Sequence, residues 1–205
     1  MSVRLASLHT DQASLVLECR ATGAPLWRHL GARVAEAGLT ALADTRTAAS
    51  FSLDGDVPLV TVPPAGLGWF GPAAVALRRA GRALVPAFGA ATVEQADGAI
   101  AIRLADGAEG LALEQRFTLA PGGAILCDAV LTNAGTEAVG VDWLASALLP
   151  LSAASDRIVS WRGRHNAELV EVTEAMPQQA WLREGRRGLT GHGGAPGLVV
   201  LEAGA

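Results

Sequence analysis

The sequence predicts an all-β protein: an antiparallel β-sandwich with at most one short helix. Its apolar runs are short, and many are β-branched or alternate with polar residues, as strands do. Sequences that favour turns recur about every ten to fifteen residues, which is typical of an antiparallel meander. The chain has 205 residues, of which 50% are hydrophobic, enough for one substantial core. We therefore expect a single domain over residues 1–205.

The N-terminal part predicts a hairpin, a third strand and one helix. The runs Val3–Leu8 and Ser14–Arg20 are separated by the polar HTDQA, which indicates a hairpin. Pro25–Leu30 predicts a third strand that ends at a glycine. Arg33–Arg46 is rich in alanine and has apolar residues at helical spacing, so it predicts a short helix.

The segment Phe51–Ala73 is rich in proline and glycine, so it cannot be a regular helix or a central strand. It nevertheless carries many large apolar side chains, including Trp69 and Phe70. A long, irregular and apolar loop usually packs on its own domain or lines a site. Both interpretations are open at this point.

A regular meander follows this loop. The predicted strands are Ala74–Leu77, Ala83–Val85, Gly89–Gln95, Ala99–Leu104, Gly110–Leu119, Ala124–Thr132 and Ala138–Leu149. The sequences between them contain Asp-Gly, Pro-Gly and Asn-x-Gly, which supply residues tolerant of a positive φ. In Gly110–Leu119 the alternation directs Leu111, Leu113, Phe117 and Leu119 inward. In Ala124–Thr132 both faces are largely apolar, which predicts a strand between two layers.

The last fifty residues predict further strands with less regular turns. Arg157–Trp161 and Ala167–Val172 lie on either side of the polar RGRHN. Gln179–Arg183, Gly188–Thr190 and Leu198–Glu202 follow. The final run has no visible partner after it, and an exposed apolar edge invites pairing with other chains. We therefore expect the domain to be truncated.

Composition argues against several classes of function. The formal net charge of −4 and the pI near 5.5 argue against nucleic acid or an anionic membrane as partner. The chain has no apolar run of membrane-spanning length, and we expect a cytoplasmic protein. Cys19 and Cys127 lie in apolar runs, so we expect reduced, buried thiols. Without a dinucleotide fingerprint, a P-loop, an HExxH motif or a metal-ligand cluster, no cofactor or metal is expected.

Four motifs in order resemble those of one family. The stretch SLDGDVP…PPAGLGWFGPAA resembles the SLDxLPQE…PxxGxGDFRxPA segment in the N-terminal β-supersandwich domain of family 36 glycoside hydrolases, the bacterial α-galactosidases. PLWRHLGARV, RIVSWRGRHNAEL and GRRGLTGHGGAPGLVVL resemble three further segments of that domain. Their order and approximate spacing agree over most of the chain.

The resemblance implies a domain of the galactose mutarotase-like supersandwich class that supports a catalytic (β/α)₈ barrel. In the family this loop reaches the mouth of a barrel, often that of a neighbouring subunit in a homo-oligomer. The resemblance therefore assigns substrate binding to Asp54. Trp69 is a second substrate-binding candidate because an indole face stacks on the C–H side of a pyranose, and packing in the core or an interface is its alternative. Trp69 and Gly71 replace the Asp and Arg of the family's GDFR. A purely structural Asx turn at Asp54 is the alternative.

The resemblance also implies a retaining mechanism with two carboxylates, both supplied by the barrel. A barrel needs about 250 residues, so no catalytic residue is expected in this chain, and the galactoside partner would be bound together with the barrel. Two alternatives stay open: a stand-alone carbohydrate-binding sandwich, and an enzyme similar to the aldose epimerases, which use His and Glu as acid and base.

Other candidate side chains have a simpler structural interpretation. Trp27, Trp143, Trp161 and Trp181 fall at strand positions and are expected in the core or between domains. The loop histidines His165 and His192 are expected to be structural or solvated. The resemblance also matches Arg187, Gly188, His192 and Pro196 to the family's RG…H…P positions, where they would fix the end of a strand.

Overall fold

The computed structural model describes residues 4–42, 59–63, 65, 69, 71–178, 180–183 and 197–203. The strands in this part of the chain are β1 Arg4–His9, β2 Ala13–Cys19, β3 Leu26–Ala32, β4 Val75–Arg79, β5 Arg82–Leu84, β6 Ala90–Ala96, β7 Ala99–Asp106, β8 Leu111–Leu119, β9 Ile125–Asn133, β10 Val139–Leu144, β11 Ser155–Arg164, β12 Ala167–Ala175 and β13 Leu198–Glu202. One 3-10 helix spans Glu36–Ala41. The predicted all-β, antiparallel fold class is confirmed.

The chain divides into two compact units, Met1–Pro150 and Leu151–Ala205. The first unit contains three sheets with the strand orders β1-β2-β3, β10-β4-β5 and β6-β7-β8-β9. The second unit contains one sheet with the order β12-β11-β13. All the pairings are antiparallel. The interpretation of residues 1–205 as one truncated domain stays a prediction.

Local turn chemistry sets the register of the four-stranded sheet. Asp97 and Gly98 both have positive φ, 44° and 74°, which is the backbone of a two-residue type I′ turn. This turn joins β6 to β7 with Ala96 opposite Ala99. The Asp-Gly signal in the sequence therefore specifies a hairpin here, as predicted.

The core of the first unit is formed by side chains from all three of its sheets. Alternate residues of β8 point into it: Leu111, Leu113 and Phe117 are buried, as the alternation predicts, and Leu119 is half-buried against the same cluster. Phe117 contacts Trp27 of β3 edge-on, with the ring centroids 5.6 Å apart and the planes at 79°. An edge-to-face pair of this kind is a favoured aromatic arrangement. It joins the sheets of β3 and β8 at the centre of the core.

The prediction that β9 lies between two layers is wrong for the part of the chain that is described. Ile125 and Leu131 pack against the core from one face, but Leu126 and Val130 on the other face are 53% and 58% exposed. The described residues of the first unit therefore do not cover this outer face. An apolar outer face on a strand cannot by itself show that a second layer is present.

Several predicted boundaries also differ from those in the structure. The helix expected over Arg33–Arg46 is a 3-10 helix over Glu36–Ala41, and residues 43–46 lie outside the described residues. The strand expected over Ala138–Leu149 ends at Leu144, because beyond it the carbonyl of Ser146 accepts a hydrogen bond from the side chain of Gln115 rather than from a neighbouring strand.

Three further differences fall in the second unit. Residues 180–183, part of the predicted strand Gln179–Arg183, are not in a strand, and Gly188–Thr190 lies outside the described residues. β11 continues through most of the predicted RGRHN loop and turns only at His165 and Asn166. Leu198–Glu202 does have a partner, since it pairs with β11 at the edge of the sheet.

The two cysteines are free and half-buried. Burial raises the pKa of both thiols, and it outweighs the opposing influence of Arg4 on the pKa of Cys19. In the described part of the chain, no helix has the length and hydrophobicity needed to cross a membrane.

We expect both thiols to react slowly with a disulfide reagent such as DTNB at neutral pH, because the thiolate is the reactive form and a raised pKa depletes it. The measurement is the labelling rate of the native chain against pH. The same chain unfolded in guanidinium chloride is the control. Native labelling at the unfolded rate would contradict the expectation.

Candidate functional site

The sequence-predicted site lies in the irregular segment between β3 and β4. Asp54 lies outside the described residues, as do Phe70 and the matched positions Arg187, Gly188, His192 and Pro196. Trp69 and Gly71 are described. The structure therefore describes Trp69 but not Asp54, the other predicted substrate-binding residue.

The described backbone on the N-terminal side of Trp69 is tied to β3. The backbone N–H of Trp27 donates to the carbonyl of Leu59 at 2.9 Å, and the N–H of Thr61 donates to the carbonyl of Pro25 at 2.9 Å. Leu26 forms a single antiparallel bridge with Val60 between these bonds. Residues 59–61 thus continue the first sheet by a short stretch, and Val60 is buried in the core.

The other end of the loop is attached to β10. Ala74 donates its N–H to the carbonyl of Pro63 at 3.1 Å, and its own carbonyl accepts from the N–H of Ala145 at 2.9 Å. The loop is therefore closed by a hydrogen bond across its base and held to the residue that follows β10. A closed base of this kind presents the intervening residues from a fixed platform.

Trp69 folds back on its own loop. Its indole Nε1–H donates to the carbonyl of Pro72 at 2.9 Å, and the ring is half-buried. A Cβ placed on Gly71 would lie 2.6 Å from Cζ2 and 2.8 Å from Cε2 of that ring. Glycine is required here because the indole packs directly on the backbone. Since its N–H is already used, Trp69 has a ring face to offer to a ligand but no free hydrogen-bond donor.

We expect Gly71→Ala to displace the Trp69 ring and to break its bond to Pro72, because the added methyl group would overlap the indole. The side chain can move away, so the loss of stability should stay below about 1 kcal/mol. The measurement is the chemical shift of the Trp69 indole N–H. Gly89→Ala is the control, because nothing lies within 4 Å of a Cβ there. An unchanged Trp69 signal would contradict the expectation.

The remaining tryptophans occupy three different environments. Trp27 is buried in the core, as expected. Trp161 is half-buried in β11. Trp181 is half-buried, donates to Glu174 at 3.4 Å and lies under the guanidinium of Arg183 at 5.3 Å from the ring centroid, but it is not in a strand. Trp143 is 54% exposed on β10, so it is not in the core of its unit, and the other expected position, between domains, stays a prediction.

The register of β10 sets the face on which Trp143 lies, although Val141 on the other face is also 53% exposed. In VGVDWL, simple alternation places Val139, Val141 and Trp143 on one face. The pairing with β4 shifts between Val141 and Trp143, so Val141 lies opposite the buried Leu77 whereas Trp143 lies opposite the exposed Ala76. Such a β-bulge turns the following side chain to the opposite face. No local signal in the sequence marks it.

Two histidines of the first unit lie close to hydroxyl and carbonyl oxygens. The ring nitrogens of His9 lie 2.7 Å from Ser14 Oγ and 3.1 Å from Ser7 Oγ, and His29 Nε2 lies 2.8 Å from the carbonyl of Ala32. His165 is exposed in the turn between β11 and β12. Within the described ranges, no group of three or more His, Cys, Asp or Glu side chains could hold a metal ion.

Comparison with known proteins identifies similar chains. Residues 23–205 match the sequence model of the glycosyl hydrolase family 36 N-terminal domain. An α-galactosidase from Escherichia coli is 27% identical over 158 residues, which are 76% of this chain and 22% of that enzyme.

Solved structures show the same fold. The family 36 α-galactosidase AgaA from Geobacillus stearothermophilus, in complex with stachyose, has a TM-score of 0.81 at 18% identity and covers 98% of this chain. The α-galactosidase from Lactobacillus brevis has a TM-score of 0.78 at 16% identity, again over 98% of the chain. The chain spans 32% and 31% of these two enzymes, respectively.

Proposed function

The chain belongs to the glycosyl hydrolase family 36 N-terminal domain family, and from this we propose that it is the non-catalytic N-terminal part of a retaining α-galactosidase. The observation that carries the proposal is the family match over residues 23–205. The fold agrees, because solved α-galactosidases share it over nearly the whole chain. The reaction we assign to the whole enzyme is the hydrolysis of terminal α-galactosides in oligosaccharides. AgaA was solved in complex with raffinose and with stachyose, and we propose substrates of that class.

We assign both catalytic carboxylates to a (β/α)₈ barrel outside these 205 residues. A retaining glycosidase needs a nucleophile and an acid–base carboxylate about 5–5.5 Å apart. A barrel needs eight helices around eight parallel strands. The described part of this chain has only antiparallel pairings and one 3-10 helix, so it supplies no part of such a barrel.

We propose that the loop around Trp69 lies at the mouth of that barrel in a homo-oligomer. The described residues at its base support this, because Ala74 is bonded to Pro63 and to Ala145, and Thr61 is bonded to Pro25. The Trp69 ring can stack on the C–H face of a pyranose while its N–H stays bonded to Pro72. Asp54 is proposed to accept hydrogen bonds from sugar hydroxyls as a carboxylate. Support for the barrel, oligomerisation and the cytoplasmic location stay predictions.

The test compares the full reading frame with the 205-residue chain, using p-nitrophenyl α-galactoside as substrate. We expect hydrolysis by the full-length protein and none by the chain alone. In the full-length protein, Asp54→Ala should lower kcat/KM by about ten- to a hundredfold, the size expected when hydrogen bonds from a charged group are lost. Asp128→Ala, an exposed carboxylate of β9, is the matched control.

Two results would overturn parts of the proposal. A reading frame that ends at residue 205 would remove the α-galactosidase assignment, and would leave the stand-alone carbohydrate-binding sandwich. Unchanged kcat/KM in Asp54→Ala would remove the assignment of Asp54 alone. Interconversion of sugar anomers by the purified chain would instead support the epimerase-like alternative.

A further inference from the structure

The outer face of the sheet β10-β4-β5 carries an exposed tryptophan surrounded by small side chains. Trp143 is 54% exposed, although tryptophan on a strand is usually well buried. Its partner across the sheet is Ala76, and the next pair on this face is Gly140 and Arg78. Neither alanine nor glycine can cover an indole, so the ring is accessible to a flat ligand. We call Trp143, Ala76, Gly140, Arg78 and Asp142 the Trp143 platform.

An ion pair lies on the same part of the sheet, since Asp142 precedes Trp143 in β10 and Arg78 is two residues from Ala76 in β4. Arg78 Nε donates to Asp142 Oδ2 at 2.6 Å, and a terminal nitrogen of Arg78 donates to Asp142 Oδ1. Asp142 is the residue at which the register of β10 shifts, so the bulge that turns Trp143 outward also brings this carboxylate to Arg78. The hydrogen bond from Arg78 lowers the pKa of the Asp142 carboxyl. The carboxylate therefore stays an acceptor well below neutral pH.

Both partners retain hydrogen-bonding capacity. A guanidinium has five N–H donors, of which the fork uses two, and each carboxylate oxygen has a second lone pair. Both side chains are exposed, so these groups face solvent. The fork also holds the two side chains in one geometry, which reduces the entropy that a ligand must remove on binding.

We propose that the Trp143 platform binds a pyranose unit of an oligosaccharide, with the indole stacked on the sugar's C–H face and the Arg78–Asp142 pair bonded to its hydroxyls. This goes beyond the proposed function, because it requires no barrel and does not involve Asp54 or Trp69. A pyranose has an apolar face and a hydroxyl-bearing rim, which is the combination that this face offers.

The chemistry of the platform favours a sugar over a protein. A protein-binding patch has a contiguous apolar core with a polar rim. On this face the residues that flank the ring are alanine, glycine and an ion pair instead. The ion pairs on the outer face of the sheet β6-β7-β8-β9 have a different composition, because Arg103 there is paired with both Glu94 and Glu114.

The test is a titration of raffinose into the 205-residue chain, followed through the indole N–H signals in a ¹H–¹⁵N spectrum. The chain has five tryptophans, so each indole reports separately. We expect the Trp143 signal to move in a saturable way with a dissociation constant in the millimolar range, because a single stacked ring supports only weak affinity. Trp143→Ala should weaken binding at least tenfold, as measured by calorimetry.

Further variants separate the contributions of the ring and the ion pair. Trp143→Phe should retain part of the affinity because it keeps a stacking ring. Asp142→Asn and Arg78→Leu should each weaken binding, because they break the fork. Val130→Ala, which shortens an exposed apolar side chain on the other outer face, should leave the affinity unchanged.

Three outcomes would overturn the proposal. The first is a Trp143 signal that does not move at high millimolar raffinose. The second is saturable movement of the Trp69 signal alone, which would place the sugar at the loop. The third is broadening of the Trp143 signal with protein concentration in the absence of sugar, which would identify the face as a contact between copies of the chain.

Discussion

Phe117→Ala is expected to lower the free energy of unfolding of the first unit by about 3–5 kcal/mol. Phe117 is fully buried in the cluster that three sheets share, and it forms the edge-on contact with Trp27. Removing the ring costs its transfer free energy, leaves a cavity and takes away the aromatic pair. Domains of this size are stable by only about 5–15 kcal/mol, so the loss would be a large fraction of the total.

Urea unfolding followed by tryptophan fluorescence measures this effect. Leu126→Ala is the control, because Leu126 lies on the outer face of the adjacent strand β9 and is opposite Thr118 rather than in the core. Leu126→Ala should lower the free energy of unfolding by less than about 1 kcal/mol. Equal losses in the two variants would mean that the outer face of β9 is buried in solution and that the core does not centre on Phe117.

Asp106→Ala is expected to lower the free energy of unfolding by about 2–4 kcal/mol, which is the second largest effect we expect. Asp106 is almost fully buried at the end of β7. Its Oδ2 accepts from the N–H of Ala87 at 2.7 Å, and its Oδ1 accepts from the N–H groups of Ala108 and Glu109, both at 3.1 Å. Alanine would leave three backbone donors without this acceptor, and a donor left unpaired on folding costs the most.

Asp106→Asn separates the hydrogen bonds from the charge. The amide oxygen can still accept from Ala108 and Glu109, whereas the amide nitrogen would face the N–H of Ala87. We expect the free energy of unfolding of Asp106→Asn, measured by chemical denaturation, to lie between those of the wild type and of Asp106→Ala. Asp128→Ala, at an exposed position, should change stability by less than about 0.5 kcal/mol. A loss in Asp106→Ala no larger than in Asp128→Ala would refute the role given to this carboxylate.

The sequence contains enough information to predict the fold class and much of the first unit. The inward face of β8 follows from alternation alone, because Leu111, Leu113 and Phe117 are spaced by the period of a strand. The turn at Asp97 and Gly98 follows from two adjacent residues that tolerate positive φ. Both features depend on interactions within a few residues, which a sequence pattern records directly.

The candidate site was predicted less completely. The resemblance directed attention to Trp69, and the structure shows that its N–H is already bonded to Pro72 within the loop. The resemblance has no motif at Trp143, which is expected in the core or between domains only because it falls at a strand position. The face on which it lies is set by a bulge that forms only when β10 pairs with β4, about sixty residues away in the chain.

The same three residues, Ala-Asp-Gly, occur twice and show where the sequence stops being sufficient. At residues 96–98 they form the tight turn between β6 and β7. At residues 105–107 the aspartate ends β7 and binds the N–H of Ala87, nineteen residues away. The three residues are identical, and the tertiary contact with Ala87 is what the tripeptide itself cannot record. Only the tertiary structure supplies this contact, because the packed chain brings the N–H of Ala87 within 2.7 Å of the carboxylate of Asp106.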